Sequence, residues 1–554
     1  MRNCRGALLL APIMLLSAGH ALAAWQPGGN LLGRGIGFRV AASGPDRVIV
    51  AWIGLSSGGQ EVRAQAWTAD GDIAAGWPRD GVRVASGSTQ DFGSIDLAAD
   101  GAGGAFVAWV DRDLAAVRVQ KLSASGSPAT GWAPQGVDLG PGFIDGLASD
   151  GEGGVLAARH IVSPLRQSQG LSLHRIDNFG VLAAGWPVEG LRLPGGSRAG
   201  LMVDGDHHVL VSTAEVYRST YRPIGIVVRR LNRNGVPDPS WPEPGVVLSE
   251  SRYASDTRLL PDGEGGVFAA WYVNQDCSYF CPYYAGQSVA RVSSDGSTHG
   301  GWNPALRGTS IAPDGAGGML VGLQKDGRPS VLRLSADGAE MPGWDAGGSP
   351  AMTEIVKSTR VVVCADQRGG AYVAWWDLRS GEYHVYASRL DASGGLAEDW
   401  PRTGSVIGPR GHSKYMETSL SVSLASLGSE GAVAVWTEYP GPRGYIAALR
   451  PDKPGPIAEL APIDYPVGFG VVDVRPNPAR GTIAATVELP GAGPARLDLI
   501  DAAGRRVESR EFSFAQPARG SVRFNAAGRF SAGIYWLRLT QGDRVASKRV
   551  VVLE

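Results

Sequence analysis

Two marks recur along this chain at a near-constant interval, and together they leave few folds open. The first is a glycine-rich turn leading into an apolar strand. It is seen in Asp100-Gly-Ala-Gly-Gly-Ala-Phe-Val-Ala-Trp109 and again in Asp262-Gly-Glu-Gly-Gly-Val-Phe-Ala-Ala-Trp271. Versions begin at Asp46, Asp100, Asp150, Asp204, Asp262, Asp314, Asp366 and Gly428. The second is a tryptophan, usually after glycine and often before proline, at Trp77, Trp132, Trp186, Trp241, Trp302, Trp344 and Trp400. The interval of about 54 residues is near that of propeller blades and too long for a leucine-rich repeat. One unit has room for four short strands. In the second unit these are Gly93–Ala98, Ala105–Val110, Ala116–Leu122 and Val137–Leu139. No helical periodicity interrupts them, so the fold class is all-β.

The turn mark occurs once more often than the Gly-Trp mark. The difference is made up at the start, where Ala24-Trp25-Gln26-Pro27-Gly28-Gly29-Asn30-Leu31 resembles the later Gly-Trp-Pro segments. A ring in which this N-terminal segment completes the last unit removes two exposed sheet edges. The reading is an eight-bladed β-propeller, with seven blades as the alternative and an open β-solenoid, which needs caps, as the third. One tryptophan per unit at a fixed place is what packing between blades requires. The same holds for Trp52, Trp109, Trp271, Trp375 and Trp436, which end the apolar strands.

The chain opens with the pattern of a secretory leader: Arg2 and Arg5, the apolar run Ala7–Leu16, then Ala21-Leu22-Ala23. Cleavage is placed after Ala23, and the apolar run is too short to span a bilayer. Residues 24–450 hold the repeats. A proline-rich linker follows over 451–470, and a different pattern fills 471–554. No later stretch is apolar enough for a transmembrane helix. A formal net charge of −1 gives no reason to expect nucleic acid as a partner. Glycine is abundant (79 residues) without a Gly-X-Y period, which suits many strands joined by tight turns rather than collagen. Cys277 and Cys281 bracket a short loop and are expected to form a disulfide in an oxidising compartment. Cys364, in an apolar run, reads as core.

In the last segment stand Val474-Arg-Pro-Asn-Pro-Ala-Arg-Gly481, a strand running into Asp501-Ala-Ala-Gly-Arg505, Ala532-Gly-Ile-Tyr-Trp536 and Ser547-Lys-Arg-Val-Val-Val552. About seven short alternating strands fit there, so a small antiparallel β-sandwich is expected. The pieces and their order resemble the C-terminal sorting domain of type IX secretion substrates and the related FlgD-like immunoglobulin-type domain. The resemblance implies recognition by outer-membrane secretion machinery, then release or attachment at the cell surface. It points to Lys548 in the final strand as a sorting determinant, against the plainer reading of an edge-strand lysine. The repeat half is similar to secreted bacterial propellers of unassigned function, a likeness that adds architecture and no chemistry.

No catalytic motif emerges. Gly54-Leu-Ser-Ser-Gly58 matches a nucleophile elbow in letters, but it falls between two strands. Asp206-His207-His208 is read as lying on a strand, where adjacent histidines face opposite sides, so no metal site is assigned. No cofactor is implied. One feature rises above the repeat. The loop after the tryptophan-ending strand lengthens in the third to fifth units, bringing Arg166, Tyr217, Arg218, Tyr221, Arg222, Tyr279, Phe280, Tyr283 and Tyr284 to one face. Arginine and aromatic groups are the usual anchors of a binding patch. The expected function is a secreted or cell-surface, non-enzymatic binding or scaffold protein for an unknown glycan or protein ligand. The alternatives are a propeller hydrolase or lyase acting on extracellular polysaccharide, which needs paired carboxylates at one cavity, and a structural envelope protein.

Overall fold

A computed structural model describes residues 25–553 except 27–28, 57–58, 87–91, 112–115, 163–167, 195–198, 217–222, 250–253, 275–283, 299–301, 303–304, 307, 357, 380–381, 413–420, 439–441, 451–468, 476, 480–481, 490–492, 515–517 and 526–529. The described chain is all-β. It holds no α-helix and one 3-10 turn, Gly428–Glu430. Among the described residues no helix is long and apolar enough to cross a membrane. The chain divides into two compact units, Met1–Glu459 and Leu460–Glu554.

The first is a series of antiparallel four-stranded sheets with a propeller-like arrangement. The second repeat unit runs Phe92–Ala99, Ala105–Asp111, Ala116–Leu122 and Val137–Asp138, paired in that order. The third to seventh units repeat the plan, ending with Ser358–Ala365, Ala371–Asp377, Tyr383–Leu390 and Ser405–His412. The innermost strands touch one another in sequence from unit to unit, and Val422–Ser426 of the last unit touches both Ser358–Ala365 and the N-terminal strand Asn30–Ala42. The second strand of each unit lies between two neighbouring sheets, so it is apolar on both faces. Ala105, Val107 and Trp109 pack toward the first unit; Phe106, Ala108 and Val110 pack toward the third.

Asn30–Ala42 belongs to two sheets at once. Its first part pairs with Arg443–Leu449 (Asn30 with Ile446, Arg34 with Arg443), and its second part pairs with Arg47–Ser56 (Gly35 with Gly54, Ala42 with Val48). A seven-stranded sheet results, joining the first and last units. Trp25 completes the joint. Its indole N–H donates to the Ala69 carbonyl at 2.8 Å and its ring stacks on Trp67. The same hook recurs at Trp77 on Ala124, Trp132 on Asn178, Trp186 on Arg233, Trp241 on Ser294, Trp302 on Ala336 and Trp344 on Ala392, each carbonyl in the next unit's turn, while the buried Trp400 N–H finds no partner among the described residues.

The Asp-Gly turns are cross-braced. Asp100 Oδ1 accepts the amides of Ala102 and Gly104, both at 2.8 Å. Asp150, Asp262, Asp314 and Asp366 do the same in their own turns. The last glycine of the turn is required by a close approach: a Cβ on Gly104 would stand 2.2 Å from the Leu122 oxygen. The other carboxylate oxygen takes an arginine from the third strand, as in Arg291 on Asp262 and Arg333 on Asp314. That arginine also donates to the following unit, Arg291 to the Ala336 carbonyl and Arg333 to that of Gly369.

His207 and His208 correct the sequence reading. They lie in the turn before strand Val209–Val216, not on a strand. His207 takes the left-handed backbone (φ 63) that glycine fills in other units, and His208 Nδ1 lies within reach of Asp204 and Arg230. Among the described residues no group of three histidine, cysteine or acidic side chains is placed to hold a metal.

Cys364 is buried, and burial with Asp366 nearby pushes its thiol up to about 12. The folded protein is therefore expected to leave Cys364 unlabelled by a thiol-reactive probe at pH 8, with labelling after denaturation. Fast labelling in the native state would contradict this burial.

The C-terminal unit is a sandwich of a three-stranded sheet (Gly470–Arg475, Thr482–Leu489, Ala518–Asn525) and a four-stranded one (Arg506–Phe514, Gly493–Asp501, Gly533–Gln541, Arg544–Val552). Alternate residues fill the space between them, among them Ile483, Ala485, Val487, Leu497, Leu499, Phe524, Leu537, Leu539 and Val550.

Candidate functional site

The hairpins joining second to third strands leave one edge of the first unit's sheets. In the third, fourth and fifth repeat units their last paired residues are Val162 with Ser168, Val216 with Pro223, and Asn274 with Tyr284. The innermost strands of these three repeat units adjoin. Arg166, Tyr217, Arg218, Tyr221, Arg222, Tyr279, Phe280 and Tyr283, and the pair Cys277 and Cys281, lie outside the described residues. Tyr284 opens the strand Tyr284–Val292.

Just beneath these hairpins the repeat changes character. Four units close the sheet with a buried tryptophan lying against the glycine before their outermost strand: Trp52 on Gly81, Trp109 on Gly136, Trp375 on Gly404 and Trp436 on Gly29. In the third unit the tryptophan position is Arg159 and in the fourth it is Thr213. Thr213 accepts a hydrogen bond from Arg229 at 3.0 Å. Arg159 is only 3% exposed. It pairs in register with Ser172, and Ala157 with His174, so Arg159, Ser172 and His174 share the face turned to the second unit. Arg159 Nη1 donates to the Pro141 carbonyl at 2.8 Å, while its buried Nε has no partner. Ser172 Oγ donates to the Glu189 carbonyl at 2.7 Å and lies 2.9 Å from His174 Nε2. With the serine proton so committed, that nitrogen is the donor, and the buried Nδ1 is an acceptor without a partner. Burial, with Arg159 and Arg192 nearby, pushes His174 down to about 4, so the ring is neutral at pH 7. Burial and Arg192 likewise lower the pKa of Arg159, against Glu189 and Asp138.

The sequence reading passed over this cluster because it followed what recurs. The signal was the exception: Ala-Ala-Arg159-His where other units have Ala-Trp. It also passed over the basic residue next to last in the third strand of the second to seventh units (Lys121, Arg175, Arg230, Arg291, Arg333, Arg389), which is visible in the sequence at a fixed offset.

The innermost strands carry two acidic residues whose oxygens serve backbone. Asp96 accepts the amides of Leu97 and Leu147, both at 2.9 Å, and Asp145 accepts that of Ala199 at 3.4 Å. Both cross to the next unit and satisfy an open strand edge. Burial raises the Asp96 carboxyl despite the pull of Arg39 and Arg258.

In the C-terminal unit the quoted motifs have definite duties. Asp501 Oδ1 accepts the amides of Ala503 and Arg505, the same device as the repeat turns. Asn477 of Pro-Asn-Pro accepts the Val551 amide at 2.9 Å and donates to the Arg549 carbonyl at 3.3 Å. Ala479 exchanges backbone bonds with Val551 and Leu553. Lys548 sits on that same last strand, opposite Leu537.

No curated protein matches the chain. Among solved structures it is similar to TolB from Acinetobacter baumannii (13% identity, TM-score 0.28, covering 54% of this chain and 64% of that one). It is also similar to dipeptidyl peptidase 4 from Porphyromonas gingivalis (10%, 0.37, 83% and 65%) and to prolyl oligopeptidase B from Galerina marginata (9%, 0.37, 74% and 56%). The chain thus spans less than two thirds of each of these three. Superpositions this loose carry no argument about its chemistry. The model of the secretion system C-terminal sorting domain matches residues 473–553, the segment whose Pro-Asn-Pro and final strand are stitched together. The chain therefore carries a type IX sorting domain and is exported to the cell surface or the extracellular space.

Proposed function

We propose that this exported chain is a non-enzymatic binding or scaffold protein, built on an eight-bladed ring, that takes a glycan or protein ligand on the edge bearing the long hairpins of its third to fifth units. The observation that carries the reading is the adjacency of the three hairpin bases at Val162, Val216 and Asn274, the first opening into a loop with Arg166 and the other two into loops rich in tyrosine.

Arrays of glycans and of secreted proteins, probed with the mature chain, test this. Replacing Tyr279, Tyr283 and Tyr284 together by alanine is expected to weaken the strongest binding by roughly 30-fold or more, the loss typical of aromatic anchors. Unchanged binding by this variant would overturn the assignment of the patch.

A further inference from the structure

We propose that the cleft between the sixth and seventh units binds an anionic saccharide, its carboxylate or sulfate ester held by Arg328 and Arg402. The cleft has a volume of about 460 Å³, inside the roughly 300–1,000 Å³ range of small-ligand sites. It suits a disaccharide-sized molecule, not a folded partner. Its walls come from the outermost segment of the sixth unit and from the turns Asp391–Gly395 and Pro401–Gly404 of the seventh. It therefore lies apart from the hairpins of the third to fifth units and does not rest on their reading.

The sixth unit departs from the repeat here. Asp345 follows Trp344, where Trp77, Trp186, Trp241 and Trp400 are followed by proline. The outermost strand is only Ser349–Pro350, and the chain then crosses to the seventh unit at Thr353. Thr353 ties the two arginines together. Its carbonyl accepts Arg328 Nε at 3.1 Å, and its amide and hydroxyl both donate to the Arg402 carbonyl, at 2.9 and 3.3 Å. Arg402 also sits inside the turn that Gly404 closes on Pro401. The tips of both side chains stay open: the Nη groups of Arg328 and the exposed guanidinium of Arg402 bond to no described residue. Two guanidiniums placed around one residue offer the forked donors that a carboxylate or sulfate matches.

The rest of the lining asks for more than a bare anion. Asp345 is exposed, with no ion pair among the described residues, and its carboxylate calls for hydroxyl donors. Buried Met352 and half-buried Leu396 add apolar surface, and no aromatic ring is among the described lining residues. A hydroxylated anion answers both the arginines and the aspartate; a simple carboxylate answers only the first.

The test is calorimetric titration of the chain from Trp25 to Glu554 at fixed ionic strength with digalacturonate, galactose 6-sulfate, galactose or N-acetylglutamate. At least one of the two acidic sugars is expected to bind, and the tighter names the anion. Arg402→Gln and Arg328→Gln should each weaken that binding about tenfold or more, the loss of a hydrogen bond to a charged group. No binding of either acidic sugar, or full binding in both variants, overturns the site. Galactose binding as tightly overturns the role of the anion, and N-acetylglutamate binding as tightly overturns the saccharide. The Tyr279, Tyr283 and Tyr284 alanine variant should bind the acidic sugar unchanged. A loss there, with the arginine variants intact, would move the ligand to the hairpin edge and overturn this cleft.

Discussion

Deleting residues 25–34 is expected to lower the melting temperature sharply and to make the chain associate. These residues supply the outermost strand of the last unit, from Asn30 with Ile446 to Arg34 with Arg443, and the Trp25 hook on Ala69. Leu32 is buried in the cluster with Val433, Val435 and Ile446, and its removal opens that cluster to water. One buried leucine is worth about 2 kcal/mol, and each strand hydrogen bond about 1 kcal/mol. The sum is roughly 5 kcal/mol or more before the indole is counted. The strand Arg443–Leu449 would then present an unpaired edge, the usual template for association. Trp25→Ala alone removes the hook and the stack on Trp67 and should cost about 2 kcal/mol, less than a fully buried tryptophan because the ring is half-buried. Calorimetry with size-exclusion chromatography reads both. A deletion variant that stays monomeric with an unchanged Tm would show that the joint through Asn30–Ala42 does not hold the ends together.

The second large effect is expected at Asp314. Its carboxylate accepts two backbone amides and, on the other oxygen, Arg333 through Nε at 2.9 Å and Nη2 at 2.8 Å. Both side chains are buried. Asp314→Ala leaves the guanidinium uncompensated and two turn amides unmet. Breaking a buried pair by removing one partner costs about 3–5 kcal/mol. Asp314→Asn keeps an oxygen for the amides and should recover part of the loss. Urea unfolding at pH 7 distinguishes them, with the order wild type, asparagine, alanine in falling midpoint. Equal midpoints for the two variants would place the whole effect in the charge. Equality of all three would reduce the ion pair to an ornament of the turn. Because Arg333 also holds the Gly369 carbonyl, the damage should reach the seventh unit, seen as faster amide exchange at Gly369 and Gly370.

Much of this architecture is written in the sequence because its causes are local. A left-handed backbone position asks for glycine at Gly103, a close approach asks for it at Gly104, and the recurring indoles from Trp77 to Trp344 hook the next unit's turn. The surplus turn mark and the early Trp25 pointed to the joint between the ends. What stayed hidden has non-local causes. Arg333 and Asp314 are separated by a whole hairpin and meet only once it has formed, so the strand arginines were passed over. His207 and His208 look like strand residues by their neighbours, yet the turn geometry claims them. Arg159 was visible as an exception at the tryptophan position, but that Ser172 and His174 share its face came only from the strand register. The candidate loops were legible as insertions that carry arginine and tyrosine; the strand ends that bear them came from the fold.

The stitch between Asn477 and the last strand bears on how an export label is read. Val551 and Arg549 are bonded to Asn477 across the sandwich, while Lys548 and its neighbours are paired to Gly533–Gln541 on the other side. The C-terminal tail is therefore not a loose peptide offered to a receptor. Its shape exists only once residues some seventy positions earlier have come into place. A machine that recognises this surface is checking that the domain has finished folding, and a truncated or stalled chain carries the letters of the address without being able to show it.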